Sequence, residues 1–562
     1  MNLDRLPDDA LHLVVQYLRS WSYKQDDLRQ LAQCSRALRA FAIRRGWEYF
    51  ALTQVVGVAG THGFDAVQPL LSRLLITDDE QLTDAQWDAA LDVLEPMDWS
   101  NVAMFSIELD ALCRRRDACL RRILAFAQQR LRHARELWVG LAWDRRVVEA
   151  FFGADFPGVR ELRMIGKPGD DGAGAAPVRL PAYGELTVMY LDRSAALMTS
   201  AVELVRRSRL TLQDLNIDEY TPALGEQLGL RRETAALDYP LLRRLAVSAA
   251  DAPLVAGDCD GLLVGTRLPA LASLYFSEAA YPSRGGANYV AQMPHVRLAG
   301  AAWPALRMLA VDALSAGDVP LIGAQMPALQ VLSIGALGSD VRLEDAATPS
   351  VPADLSTVQT LLATCARLVD LRIETPEQYE DMYNNSPGFA PYYQQQFGAE
   401  LPLFERPFSP GLHEIAPQPH AHLRHLTLNS SALTFDQLAL LLGRLERLNS
   451  LEGIVRFTSR YPLTCAPPRH ARLSQLSLAH STQSRYKHMF KSTLLRFLSM
   501  LGALRTLEVY GELEFRGIES TVQRLLPGCH AGFYSLIPTW LLDAIDSGEV
   551  DAKDIRRRRI KR

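Results

Sequence analysis

The sequence predicts an α/β fold in which a small helical N-terminal module precedes an irregular solenoid, with short parallel strands inside and helices outside. Three observations predict it. A six-residue unit, Leu-x-x-Leu-x-apolar, recurs through most of the chain. Stretches with apolar residues at helical spacing separate many of its copies. The first fifty residues carry the apolar stripes of three short helices.

In the N-terminal module, Leu6-Pro7-Asp8-Asp9 opens a helix with Leu11, Val14, Val15 and Leu18 on one stripe. Proline suits a first helical position, and acids suit the positive helix end. Leu28, Leu31 and Ala32 mark a second helix. Ser35 fits the N-cap of a third, which carries Leu38, Phe41 and Ala42 inward, and Trp47 follows it. This series, with Cys34-Ser35-Arg36 at its centre, resembles the F-box over about residues 5 to 50. It departs from that family in a longer link between the first two helices, 19–27. The resemblance implies a surface that docks on the Skp adaptor of a cullin-RING ubiquitin ligase. Leu6, Pro7, Leu11, Val14 and Leu18 match the family's Leu-Pro and first-helix positions, and Leu28, Leu31, Cys34 and Phe41 match its later apolar ones. The same residues also fit a three-helix cap whose apolar groups are all internal core. So small a module buries little surface alone, and it needs either a partner or the following domain to pack on.

Residues 51–69 read as a helical linker, 70–525 as the solenoid, and 526–562 as a C-terminal cap with a basic tail. Clear copies of the unit begin at Val159, Leu242, Leu271, Leu306, Leu329, Leu368, Leu423, Leu473 and Leu504. Weaker ones begin at Leu71, Val102, Ala134, Leu186, Leu212 and Leu448. Helical patterns lie between them, as at 117–133 and 434–448. Starts fall mostly 23 to 35 residues apart, near the roughly 20 to 29 of leucine-rich repeats. Each unit offers a short strand and an outer helix, and neither can bury its apolar face without the next unit. The chain is therefore similar to the F-box leucine-rich-repeat family. It lacks that family's asparagine eight positions after the first leucine, since 250, 279, 337 and 431 hold Ala, Ala, Leu and Ser. An irregular coil is expected. The competing reading, a large α/β protein with leucine-rich strands joined by helices, would need longer or more alternating strands.

Three segments interrupt the rhythm. Residues 166–181 are rich in Gly, Ala, Asp and Pro, and 279–298 hold Tyr281 and Tyr289. The insertion 374–418 is far longer than an ordinary connection. Between Tyr379 and Phe408 it carries eight aromatic residues, Tyr392, Tyr393 and Phe397 among them, about three times the 8% average of the chain. Disordered linkers are poor in such residues, so this segment is expected to pack on the solenoid edge or on a partner.

Composition narrows the function. Sixty basic and 64 acidic residues leave a formal charge of -4, which argues against nucleic acid as the main partner. The seven scattered cysteines include no Cys-x-x-Cys pair, a usage that suits reduced thiols in an intracellular protein. Acids at Asp4, Asp8 and Asp9 stand where a signal peptide needs an apolar run. The longest uncharged stretch, 319–339, is broken by prolines and glycines, so no membrane span is expected. The basic tail 556–562 fits a nuclear-import signal and equally a solvated charged end. A cytoplasmic or nuclear protein is the expectation.

No phosphate-cradling loop, Gly-x-Ser-x-Gly elbow or His-Glu-x-x-His pair occurs. His413, Glu414, His420, His422 and His425 cluster in sequence, but His422 and His425 fall where a strand begins rather than on one helix face. Solvated histidines are the better reading, and neither metal nor other cofactor is expected. The resemblance thus implies a non-enzymatic substrate receptor that binds the adaptor and cullin complex through the module and a protein target through the repeats. A scaffold without a ligase role and an enzyme of unrecognised fold are the alternatives. In each unit the first, fourth and sixth positions face inward, so the third and fifth line the open face. That rule nominates Trp138, Arg163, Tyr275, Arg372 and His425, with Tyr392, Tyr393 and Phe397 of the insertion, as target-binding residues.

Overall fold

Alternation of buried and open positions is the pattern of a strand covered on one face, and all fifteen copies of the unit carry one. The computed structural model describes residues 49–52, 71–77, 83–142, 144–153, 156–166, 179–181, 183–191, 199–220, 222–230, 237–249, 268–278, 303–338, 351–352, 355–373, 422–457, 470–482, 487–511 and 518–535. The adaptor-matching residues from Leu6 to Phe41, the insertion aromatics Tyr392, Tyr393 and Phe397, and the basic tail lie outside them. The chain divides into two units, Met1–Leu228 with Leu237–Leu242 and Gly229–Ala236 with Arg243–Arg562.

The first unit holds β1 (Tyr49–Ala51), β2 (Arg73–Ile76), α1 (Asp84–Leu94), β3 (Met104–Glu108), α2 (Asp117–Arg130), β4 (Glu136–Gly140), α3 (Arg145–Phe152), β5 (Glu161–Ile165), β6 (Val188–Leu191), α4 (Thr199–Ser208) and β7 (Asp214–Tyr220). Each strand pairs in parallel with the next, β1 through β7. The register puts like positions side by side. Leu74, Phe105, Leu137, Leu162, Met189 and Leu215 form one buried row, and Ile76, Ile107, Val139, Met164, Leu191 and Ile217 a second. The strand β1 stands where the sequence reading passes from helical module to helical linker; no copy of the motif announces it.

Behind the rows lie the helices. Phe105 of β3 meets Phe151 of α3 at 6.4 Å between ring centroids and Phe156 at 5.6 Å. α1 begins with a capping box in which Thr83 and Gln86 satisfy each other's backbone N–H. Arg122 of α2 reaches across to the carboxylates of Asp88, Asp92 and Glu95 on and just after α1, which tie the two helices together; Glu95 and Asp92 raise its pKa. α2 ends at Arg130, three residues before the end of the helical pattern.

The second unit repeats the scheme with β8 (Arg244–Ala249), β9 (Ser273–Glu278), β10 (Met308–Ser315), α5 (Ile322–Gln325), β11 (Val331–Gly338), β12 (Val351–Pro352), α6 (Leu355–Thr364), β13 (Asp370–Ile373), β14 (His425–Leu433), α7 (Phe435–Arg444), β15 (Ser450–Phe457), β16 (Gln475–Thr482), α8 (Lys487–Leu498), β17 (Thr506–Gly511), α9 (Ile518–Leu525) and β18 (His530–Ser535). All pairings are parallel except β12, which adds antiparallel to the end of β11 while β11 also pairs with β13. The β14 strand joins β13 in register across the whole insertion. β18 extends the ladder past residue 525, where the sequence reading expects a cap. Among the described residues no helix is long and apolar enough to cross a membrane.

A position missed in the sequence completes the unit. Three residues before the first leucine sits a buried anchor whose carbonyl accepts that leucine's N–H. Examples are Trp99 to Val102 at 3.0 Å, Phe156 to Val159 at 3.1 Å, Trp303 to Leu306 at 3.1 Å and Leu501 to Leu504 at 3.0 Å. His470 varies the device. Its ring Nδ1 accepts the Leu473 N–H at 2.9 Å, so the proton belongs on Nε2, which donates to the Leu445 carbonyl at 2.9 Å.

Close packing also fixes one glycine. A Cβ on Gly323 of α5 would stand 2.0 Å from the carbonyl oxygen of Thr364, at the end of α6, and 2.5 Å from its carbon. Both are backbone atoms, so the two helices would have to separate. Gly323→Ala is expected to lower stability by about 3 kcal/mol, the upper range for overpacking. Gly502→Ala, with nothing within 4 Å of its Cβ, is the matched control in urea unfolding. Equal midpoints for the two variants would refute the contact.

Candidate functional site

The face opposite the buried rows is lined by the third and fifth positions of each unit, and here the first unit concentrates large and charged groups. Register places Trp138, Arg163, Tyr190 and Asn216 side by side on β4 to β7. Two residues earlier, Glu136, Glu161, Val188 and Asp214 form the neighbouring row on the same face. Every one of these side chains is half-buried, between the covered row and solvent.

Arg163 is the centre of the group. Its guanidinium lies 4.3 Å from the Trp138 ring centroid and 5.8 Å from that of Tyr190, while its Nε donates to Glu161 at 2.7 Å. Tyr190 donates its hydroxyl to Asp218 at 2.7 Å. Stacking of this kind contributes about 0.5–1 kcal/mol at exposed sites, enough to hold the guanidinium flat against the sheet. Glu136 stands beside this pair, and burial, reinforced by the Glu161 charge, raises its carboxyl above the ordinary 4.5 against the opposing pull of Arg73 and Arg163. The arrangement offers rigid aromatic surface with fixed charges around it, the chemistry of recognition.

In the second unit the nominated residues are spread over separate strands. Tyr275 on β9 donates to the Met308 sulfur at 2.8 Å and lies under Arg244, 5.4 Å from its ring centroid. Arg372 on β13 pairs with Asp370 at 3.1 Å. His425 begins β14, exposed and in register with Asp370 and Ser450. The structure therefore brings Trp138 and Arg163 into contact, sets Arg372 and His425 on neighbouring strands either side of Asp370, and leaves Tyr275 three strands away on β9. Tyr190 and Asp218 were missed by the nomination. Tyr190 is the fifth position of the weaker copy at Leu186, so the same rule would have reached it; Asp218 lies beyond the six-residue unit and carries no such signal.

Burial raises the thiol pKa of Cys113, Cys119, Cys365 and Cys529, that of Cys119 to about 11. These thiols stay protonated at neutral pH and are poor nucleophiles. Among the described residues, no three His, Cys, Asp or Glu side chains group as metal donors; His413, Glu414 and His420 lie outside them. No family model matches the chain, and no curated protein matches it.

The raised Glu136 carboxyl has a consequence for stability. Because the folded state holds this proton more tightly than the unfolded chain, folding is favoured below the unfolded value and the advantage is lost as pH rises through the folded one. Glu136→Gln removes the ionisation. It is expected to stabilise the protein at pH 7 relative to the parent, with a smaller gain or none near pH 4. Urea denaturation at both values measures this; a gain confined to the acidic condition would contradict it.

Proposed function

We propose that the protein is the substrate-recognition subunit of a Skp-cullin-F-box ubiquitin ligase. The N-terminal residues would bind the adaptor, and the open face of the first unit, centred on Trp138, Arg163 and Tyr190, would bind the target. The observation that carries this reading is the order Leu6-Pro7-Asp8-Asp9, amphipathic helix, Leu28-x-x-Leu31, Cys34-Ser35-Arg36, Phe41, Trp47 ahead of leucine-rich units. The finer fold assignment belongs to the same reading: an F-box followed by a leucine-rich-repeat solenoid. It is supported by parallel strands that pair in chain order with like positions aligned.

Such a subunit does no covalent chemistry. It holds a bound protein near the ubiquitin-charged enzyme carried by the cullin, and proximity accelerates transfer. Affinity purification with proteolysis blocked tests the proposal. Recovery of the Skp adaptor with a cullin supports a ligase subunit, the adaptor alone supports a scaffold, and neither refutes both.

Two sets of variants then separate the surfaces. Leu11→Asp or Val14→Asp puts an unpaired charge into the proposed adaptor contact, at a cost of several kcal/mol, and is expected to abolish adaptor recovery. Trp138→Ala or Arg163→Ala is expected to lose co-purified targets while adaptor recovery stays at the parent level. Adaptor binding that survives Leu11→Asp in a folded protein would sink the F-box assignment.

A further inference from the structure

In the second unit, the edge from which β13 to β17 start is dominated by one sign of charge. The residue before the first leucine of four successive units is Arg367, His422, Arg447 and Arg472, and the residue after it is arginine at Arg424 and Arg505. In-register pairing of β13 through β17 brings these positions into file along the edge, with neighbouring backbones about 5 Å apart, the spacing of strands. All six are exposed except Arg424, which is half-buried.

Some arginines of this edge have an internal reason to be there. Arg444, Arg496 and Arg524 stand in the last turns of α7, α8 and α9, where a cation opposes the negative helix end. Arg367, Arg472 and Arg505, in the turns, have no such explanation. Among the described residues, Arg367, Arg472 and Arg505 form no ion pair with a carboxylate, and Arg424 donates to the Arg447 carbonyl at 3.1 Å. Asp370, an acid at the start of β13, is held by Arg372. Like charges stacked on adjacent strands repel one another, and an anionic chain laid along them relieves that repulsion.

We infer that this arginine edge is a docking surface for an acidic segment of another polypeptide. Five neighbouring strands span about 20 Å, the length of roughly six extended residues, so a short run of aspartate and glutamate would match it. Guanidinium groups take carboxylates in paired hydrogen bonds. Nucleic acid fits less well, because the file contains no aromatic side chain on which bases could stack. This surface is independent of adaptor binding, and either can hold without the other.

Fluorescence anisotropy of the full-length protein with labelled decaglutamate, and with decaglutamine as the neutral match, tests the inference. Decaglutamate is expected to bind, decaglutamine not, and the affinity should fall steeply with added salt. The triple variant Arg367→Gln, Arg472→Gln, Arg505→Gln should bind decaglutamate about tenfold more weakly with an unchanged thermal midpoint. Should the triple variant unfold, the single variants Arg472→Gln and Arg505→Gln decide, each expected to weaken binding by about threefold. Undiminished binding by these variants, or no binding by the parent, overturns the proposal. Tighter binding of an oligothymidylate of equal charge overturns it in favour of nucleic acid.

Discussion

The alignment of inward side chains across parallel strands is the constraint on which the rest of this structure depends. The strands are two to nine residues long and gain little alone. Stacked in register, Leu137 lies between Phe105 and Leu162, and Leu426 between Leu371 and Leu451. A fully buried leucine contributes about 1.5–3 kcal/mol, and each strand supplies several such positions. A slip of one residue would turn Arg163 and Glu161 inward and Leu162 outward. Register and the chemistry of the open face are therefore one fact seen from two sides.

Two further devices hold the register. The buried anchor closes a tight turn just before most of the described strands, so those strands enter at a fixed height. At the entry itself, one carbonyl of the preceding strand accepts two N–H groups of the next. Val369 takes those of Arg424 and His425 at 2.8 and 3.1 Å, and Asn449 those of Ser474 and Gln475 at 2.9 and 3.0 Å. Helix pairing closes the outer layer: Phe435 of α7 meets Phe490 and Phe497 of α8 at 5.8 and 5.4 Å.

Much of this was legible in the chain, because leucine spacing directly encodes which side of a strand faces the core. The fifteen strands with a motif, the helices of 117–130 and 435–444, and the open-face positions of Trp138 and Arg163 all follow from periodicity. The anchor escaped for a physical reason. The site needs a bulky buried group and a backbone carbonyl, which Trp99, Leu131, Phe156, Met326, Cys365 and Leu445 all supply, so no single letter marks it. The β1 and β12 strands escaped because three and two residues are too few to show a period. The stacking of Arg163 between two rings is a relation between three strands, and no one strand contains it.

The doubled acceptance at strand entry separates architecture from identity. The carbonyl that sets the register belongs to the second residue of the unit, and any amino acid has that carbonyl. The side chain at that position varies, being Arg135, Thr187, Gln330, Val369, Asn449 or Ser474 in different copies, and only where it is a hydroxyl, as at Thr187 and Ser474, does it add a bond to the same carbonyl of the preceding strand. Along this line the molecule can change its surface letter by letter while the scaffold stays the same, so new recognition can arise there without renegotiating the fold.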